Sequence, residues 1–154
     1  MSVHPIDAVD RLCDAINSHT AQRVADCFTA DYAAEVPHRP AESFTGREHV
    51  LMNWSLIFTR VPDLQARVLR TAVSGSEVWS EWEMSGTSFE GLPALLVGPV
   101  VMTVRDGRIN WTRFYVSPVP PGSRPLEWCI DGHSVISSLR LCGEFGREDG
   151  VVGF

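Results

Sequence analysis

Apolar residues near the amino terminus recur at helical spacing. Ile6, Val9, Leu12 and Ile16 fall on one face, Pro5 suits a first helical turn, and Asp7 and Asp10 complement the positive end of the helix dipole. An amphipathic helix is predicted there. A second, shorter helix is predicted from a Thr20 cap through Val24, Cys27 and Phe28, ending in a turn at Thr29-Ala-Asp31, with Tyr32 to Val36 following as a short strand. Thr45-Gly-Arg-Glu48 has the form of a capping box, in which Thr and Glu side chains satisfy free backbone amides reciprocally. Val50, Trp54, Ile57 and Phe58 follow on one face, which predicts a third helix.

After Pro62 the pattern changes to strands: Leu64 to Val73, a Ser74-Gly-Ser76 turn, Glu77 to Gly86, Ala94 to Arg105, and Arg108 to Ser117. Asp106-Gly107 supplies the positive φ angles of a two-residue hairpin turn. An uninterrupted hairpin sets Arg105 opposite Arg108, Met102 opposite Trp111, Val101 opposite Thr112 and Pro99 opposite Phe114. Val101, Thr103, Thr112, Phe114 and Val116 then share one face, and Val100, Met102, Val104, Ile109, Trp111, Arg113 and Tyr115 the other. Helices first and a consecutive antiparallel meander afterwards make an α+β domain with helices on one sheet face.

Composition narrows the function classes. The 154 residues carry 13 basic and 19 acidic side chains, a net charge of −6, with 44% hydrophobic residues, as expected of one folded domain. Nucleic-acid binding is not expected from an acidic chain without a basic stripe. Every basic residue is Arg, so Schiff-base, pyridoxal phosphate and phosphate-loop chemistry lack their lysine. No G-x-G-x-x-G, phosphate loop or G-x-S-x-G elbow occurs, and no cofactor is expected. Cys13, Cys27, Cys129 and Cys142 lie far apart, and His4, His19, His49 and His133 show no metal-ligand spacing, so free buried thiols and no metal site are expected. The amino terminus lacks the pattern of a signal peptide, and Leu92 to Val104 is too short and too interrupted by proline to span a bilayer; a cytoplasmic protein without membrane contact is expected. From Ser117 onward glycine and proline are dense, which predicts a loop-rich extension over residues 120 to 154, with one short helix carrying Val135, Ile136, Leu139 and Cys142.

The order helix, helix, strand, capped helix and four meandering strands resembles the nuclear transport factor 2-like superfamily, and more narrowly its SnoaL-like polyketide cyclase group. The resemblance rests on Phe28-Thr-Ala-Asp31-Tyr32, His38-x-Pro40, Phe44-x-Gly46-Arg47-Glu48, Asn53-Trp54, Val61-Pro62-Asp63, Val78-Trp79-Ser-Glu81-Trp82, Val104-x-Asp106-Gly107-Arg108-Ile109 and Arg113-x-Tyr115, and spans roughly residues 5 to 119. It implies a conical α+β barrel over residues 1 to 119, a strongly curved antiparallel sheet with three helices on its concave face, and a small-molecule site inside the cone. In ketosteroid isomerases a Tyr and an Asp form the oxyanion hole; the corresponding positions hold Leu12 and Val101. In limonene epoxide hydrolases an Arg and two Asp activate water; those positions hold Trp82, Met84 and Phe114. The cyclase acid also falls near Phe114.

The candidate chemistry is therefore sparse. His38 lies near the isomerase base position, and an imidazole titrates near neutrality; the alternative is a surface histidine beside Pro37 and Pro40. Thr112 or Tyr115 would donate a hydrogen bond to the substrate. Trp54, Phe58, Trp82, Met84, Val101 and Phe114 would line an apolar cup, or be plain core. Glu81 and Arg113 would form an outer-face ion pair, at a dimer contact in one reading, the alternative being a catalytic carboxylate–guanidinium pair. Three functions remain open: a cofactor-independent isomerase or cyclase acting on a hydrophobic substrate by proton transfer, a non-catalytic binding module for a small hydrophobic molecule, and a dimerisation or adaptor domain. A homodimer is expected, and the third reading places its contact on the outer face with Trp79, Trp111 and Tyr115.

Overall fold

A computed structural model describes residues 4 to 120 and residue 122 of the chain. The segment in which the extension and its helix were expected lies outside the described residues, apart from Pro120 and Gly122.

Helix α1 spans Pro5–Asn17 and buries Ala8, Val9, Leu12, Ala15 and Ile16. Its start is fixed by a residue that composition did not single out. His4 Nδ1 accepts from the Ile6 amide at 3.3 Å, and the Asp7 carboxylate accepts from the His4 amide at 3.1 Å. Helix α2 covers Ala21–Ala25, and strand β1 then runs from Phe28 to Glu35. The turn expected at Thr29 to Asp31 is instead part of that strand, carried across a register shift between two pairings with the last long strand of the sheet, Phe28 opposite Ile109 and Ala33 opposite Trp111. Tertiary pairing overrides a local turn signal here.

Strand β2, Phe44–Thr45, precedes helix α3, Arg47–Arg60. The expected capping box does not form. Thr45 pairs with Ala33 in the sheet, and Gly46 takes the cap position at φ 94° with no side-chain hydrogen bond. Strands β3 (Gln65–Ser74), β4 (Glu77–Thr87), β5 (Pro93–Arg105) and β6 (Arg108–Phe114) make the expected meander, and β7 (Ser117–Pro118) returns beside β5. The sheet order is β2-β1-β6-β5-β4-β3. The sheet is curved and does not close into a barrel. It is mixed rather than wholly antiparallel, since β1 lies parallel to β6. Its concave side and the three helices enclose the core.

The β5–β6 hairpin corrects the expected register. Asp106 and Gly107 have φ 52° and 74°, as a tight hairpin turn requires, and Arg105 faces Arg108. The ladder then slips: Val104 pairs with Ile109, but Thr103 pairs with Trp111, leaving Asn110 as an extra residue in β6. The Thr103 hydroxyl bonds Asn110 Oδ1 at 3.0 Å across the irregularity. Beyond it Met102 faces Thr112, Val101 faces Arg113 and Val100 faces Phe114. The bulge therefore turns Ile109 and Thr112 to the same interior, and on β5 it is Val100 and Met102, not Val101, that share this side.

Candidate functional site

A narrow cavity, with about 80 Å³ open to the centre of a water molecule, lies between the concave sheet and the helices. Its sheet wall is apolar: Trp82 and Met84 from β4, Leu96, Val100 and Met102 from β5, and Phe114 from β6. Its helical wall is Leu12 and Ile16 from α1 with Val50, Asn53, Trp54 and Ile57 from α3. Phe28, Tyr32 and Phe44 form an aromatic cluster at one side, with ring centroids 4.4 Å apart for Phe28 and Tyr32 and 5.9 Å for Tyr32 and Phe44. The Trp82 indole N–H is already occupied, donating to Ser80 Oγ at 2.8 Å, and Ser80 donates on to the Val100 carbonyl at 3.0 Å. Trp82 thus presents carbon, not a donor, to the interior.

Among the described residues four polar side chains reach this wall: Tyr32, Arg39, Asn53 and Thr112. Tyr32 and Thr112 are each 1% exposed and hydrogen-bond to each other through their hydroxyls. Burial pushes the Tyr32 phenol well above the ordinary tyrosine range, only partly offset by the bond to Thr112, so it stays protonated. The hydroxyl pair has two protons and uses one between its members. One O–H is left over.

Arg39 reaches the cavity because of its local backbone. The Arg39 amide donates to the Val36 carbonyl at 3.0 Å, and the following Pro40 keeps Arg39 out of the helical region, at φ −143°. Arg39 Nη1 lies 3.1 Å from a Glu42 carboxylate oxygen, while its Nε is buried with no hydrogen-bond partner. Asn53 is 5% exposed, and its Oδ1 is likewise buried without a partner. Its position on α3 follows from helical spacing, since Val50, Asn53, Trp54 and Ile57 share one face.

The sequence-expected residues divide. Thr112, Trp54, Trp82, Met84 and Phe114 line the cavity. Val101 is buried on the other side of the sheet, removed by the bulge. Phe58 is half-buried and packs against Trp54 and His19 at 5.5 Å between centroids, outside the cavity wall. His38 is exposed on the turn before Arg39, and Tyr115 is 39% exposed; neither is in the wall. Glu81 does not meet Arg113, because β5 separates their strands. Arg113 instead pairs with Glu35 at 2.9 Å across the parallel β1–β6 contact, and Glu81 with Arg70 at 3.3 Å. Cys27 is buried and free, and Cys13 is half-buried and free. Among the described residues no three His, Cys, Asp or Glu side chains converge as a metal site would need, and no helix is long and apolar enough to cross a membrane.

Sequence reasoning missed Tyr32, Arg39 and Asn53. Asn53 did carry a signal, an amide interrupting the apolar face of α3. Arg39 carried none beyond its proline neighbour.

Comparison with known proteins agrees with this architecture. The family model described as SnoaL-like domain matches residues 9–111. IdmH from Streptomyces antibioticus, a candidate polyketide cyclase, superposes with a TM-score of 0.61 at 24% identity, covering 75% of this chain and 92% of that one. A candidate isomerase from Bacillus subtilis gives 0.66 at 18% identity, covering 73% and 86%. An LEH-like epoxide hydrolase of M. tuberculosis gives 0.63 at 20% identity, covering 73% and 82%. These likenesses establish the fold. No curated protein matches the sequence.

Proposed function

Since the chain belongs to the SnoaL-like family, we propose that it takes a small hydrophobic molecule into the cone and promotes a cofactor-independent isomerisation or cyclisation by proton transfer. The observation that carries this reading is the Tyr32 and Thr112 hydroxyl pair on the wall of a mainly apolar cavity. Its spare O–H can donate to a substrate carbonyl oxygen, and that bond strengthens as negative charge develops on the oxygen. Because no carboxylate or imidazole is among the described residues lining the cavity, positioning and exclusion of water would carry most of the effect. His38, exposed on the turn next to cavity-lining Arg39 and outside the wall, is the base of this reading only for a substrate proton presented at the cavity mouth. Tyr115 stands outside the wall and would enter only as an outer-face contact residue.

The test joins native mass spectrometry of the purified protein to a turnover assay on whatever small molecule copurifies. The proposal expects a bound apolar mass, with turnover reduced by Thr112→Val and by His38→Ala at nearly unchanged affinity. A bound mass without turnover, and with affinity insensitive to Thr112→Val, would establish a binding module instead.

A dimer is a separate proposal. Trp79 is 50% exposed and Tyr115 39% exposed on the convex side, where the Arg113 guanidinium also lies 5.9 Å from the Trp111 ring centre. Such an aromatic, Arg-containing patch has the composition of an interface core. Trp111→Asp should then yield a monomer in sedimentation analysis; a persisting dimer would place the contact elsewhere.

A further inference from the structure

We infer that Phe89 and Leu92, at the tip of the β4–β5 hairpin, form a docking ledge for this chain's own residues 126–130. The inference goes beyond the small-molecule reading of the cone and does not depend on it.

The ledge continues an apolar row of β5 outward. Leu96 is buried on the cavity wall, Ala94 is half-buried against the core, and Leu92 is 56% exposed. The Ser88 amide donates to the Leu92 carbonyl at 2.8 Å, which carries the β4–β5 pairing one step beyond Thr87 and Pro93. By strand alternation Leu92, Ala94 and Leu96 therefore share the inner face. Phe89 stands at the hairpin tip, 70% exposed, and its amide donates to the carbonyl of Arg60, the last residue of α3, at 2.8 Å. The tip is thus held in place while two large apolar side chains on it face water. Apolar surface presented on an anchored hairpin is a contact surface in want of a cover.

The course of the chain decides the occupant. Strand β7 lies antiparallel to β5, with Ser117 beside Val97 and Pro118 beside Leu96, and the Val119 amide donates to the Leu95 carbonyl at 2.9 Å. At its exit the chain is therefore heading toward Leu92. Residues 123–154 follow outside the described residues. The seven steps from Val119 to Leu126 can span up to about 25 Å, and Leu92 lies three residues, about 10 Å, along the strand direction from Leu95. Leu126, Trp128 and Ile130 are the first large apolar side chains after Val119, and they come within reach of the ledge. A segment tethered this closely acts at an effective concentration on the order of millimolar, above that of a second copy or a separate partner in ordinary solution.

Hydrogen exchange of the full chain, read by mass spectrometry, tests this. Amides of residues 126–130 should exchange at least roughly tenfold slower than in a free peptide of the same sequence. The double substitution Phe89→Ser with Leu92→Ser should remove that protection while circular dichroism shows the fold intact. No protection in the wild type, or protection that survives the double substitution, overturns the inference. A cross-link checks the contact without removing the ledge. Under mild oxidation Leu92→Cys should form a disulfide with the natural Cys129 within one chain, whereas Ser74→Cys, at the opposite end of β4, should not. A disulfide joining two chains assigns the ledge to a contact between copies and overturns docking within the chain. An equal yield from Ser74→Cys, or no disulfide from Leu92→Cys, overturns it as well.

Discussion

The Tyr32 phenol and the Thr112 hydroxyl, 80 positions apart in the chain, are hydrogen-bonded to each other in the core. Their strands β1 and β6 run parallel, with Ala33 beside Trp111 and Ala34 beside Thr112. The bond depends on the bulge at Asn110, which brings Thr112 to the inner face. It joins the least local pairing of the sheet to the most polar point of the apolar wall.

Breaking that pair from one side should be worse than removing it. Thr112→Val keeps the shape but strands the buried phenol, and should cost about 1–3 kcal/mol. The double substitution Tyr32→Phe with Thr112→Val should cost less than the two single costs added together. Urea denaturation of the four proteins of the cycle measures the coupling; additive costs would mean the hydroxyls stabilise the fold independently.

Alkaline pH should act through the same phenol. Burial raises its pKa in the folded state, so the folded protein keeps a proton that the unfolded chain loses above about pH 10. The stability contributed is intact below that pH and declines as pH rises through it, by up to about 1.4 kcal/mol per pH unit. Stability measured between pH 8 and 11 should show this decline in the wild type and a smaller one in Tyr32→Phe. Equal slopes would assign the effect to other groups.

Gly98 should not tolerate a side chain. It sits on β5 opposite Trp82 with φ 143°, and a Cβ built there would come within 2.6 Å of the Tyr115 carbonyl oxygen and 2.8 Å of Val116 Cα. These are backbone atoms that cannot rotate aside. Gly98→Ala is expected to destabilise by roughly 2 kcal/mol or more, as overpacking combined with backbone strain does. Thermal unfolding within a degree or two of wild type would mean that the strand end after Phe114 moves easily.

Phe114→Asp tests the wall from the sheet side. The substitution places a carboxylate in a mainly apolar wall, and should weaken binding of an apolar ligand by at least roughly tenfold. Circular dichroism separates that effect from unfolding. His38→Ala, on an exposed turn, should leave affinity nearly unchanged.

Local patterns in the chain were sufficient for much of this. The apolar period of Val9, Leu12 and Ile16 specifies α1, and Asp106-Gly107 specifies the hairpin turn, because each depends on residues within a few positions. The apolar character of the pocket was also legible, in Trp54, Trp82, Met84 and Phe114. Only the tertiary structure decided which way β5 faces, since one extra residue at Asn110 inverts every later pairing and exchanges Val101 for Val100 and Met102. Only it drew Thr29 to Asp31 into a strand, and Arg113 to Glu35 instead of Glu81, through parallel pairing of β1 with β6. Arg39, Asn53, Tyr32 and Thr112 come from separate elements, and their convergence on one cavity is set by long-range packing, which no short window of sequence records.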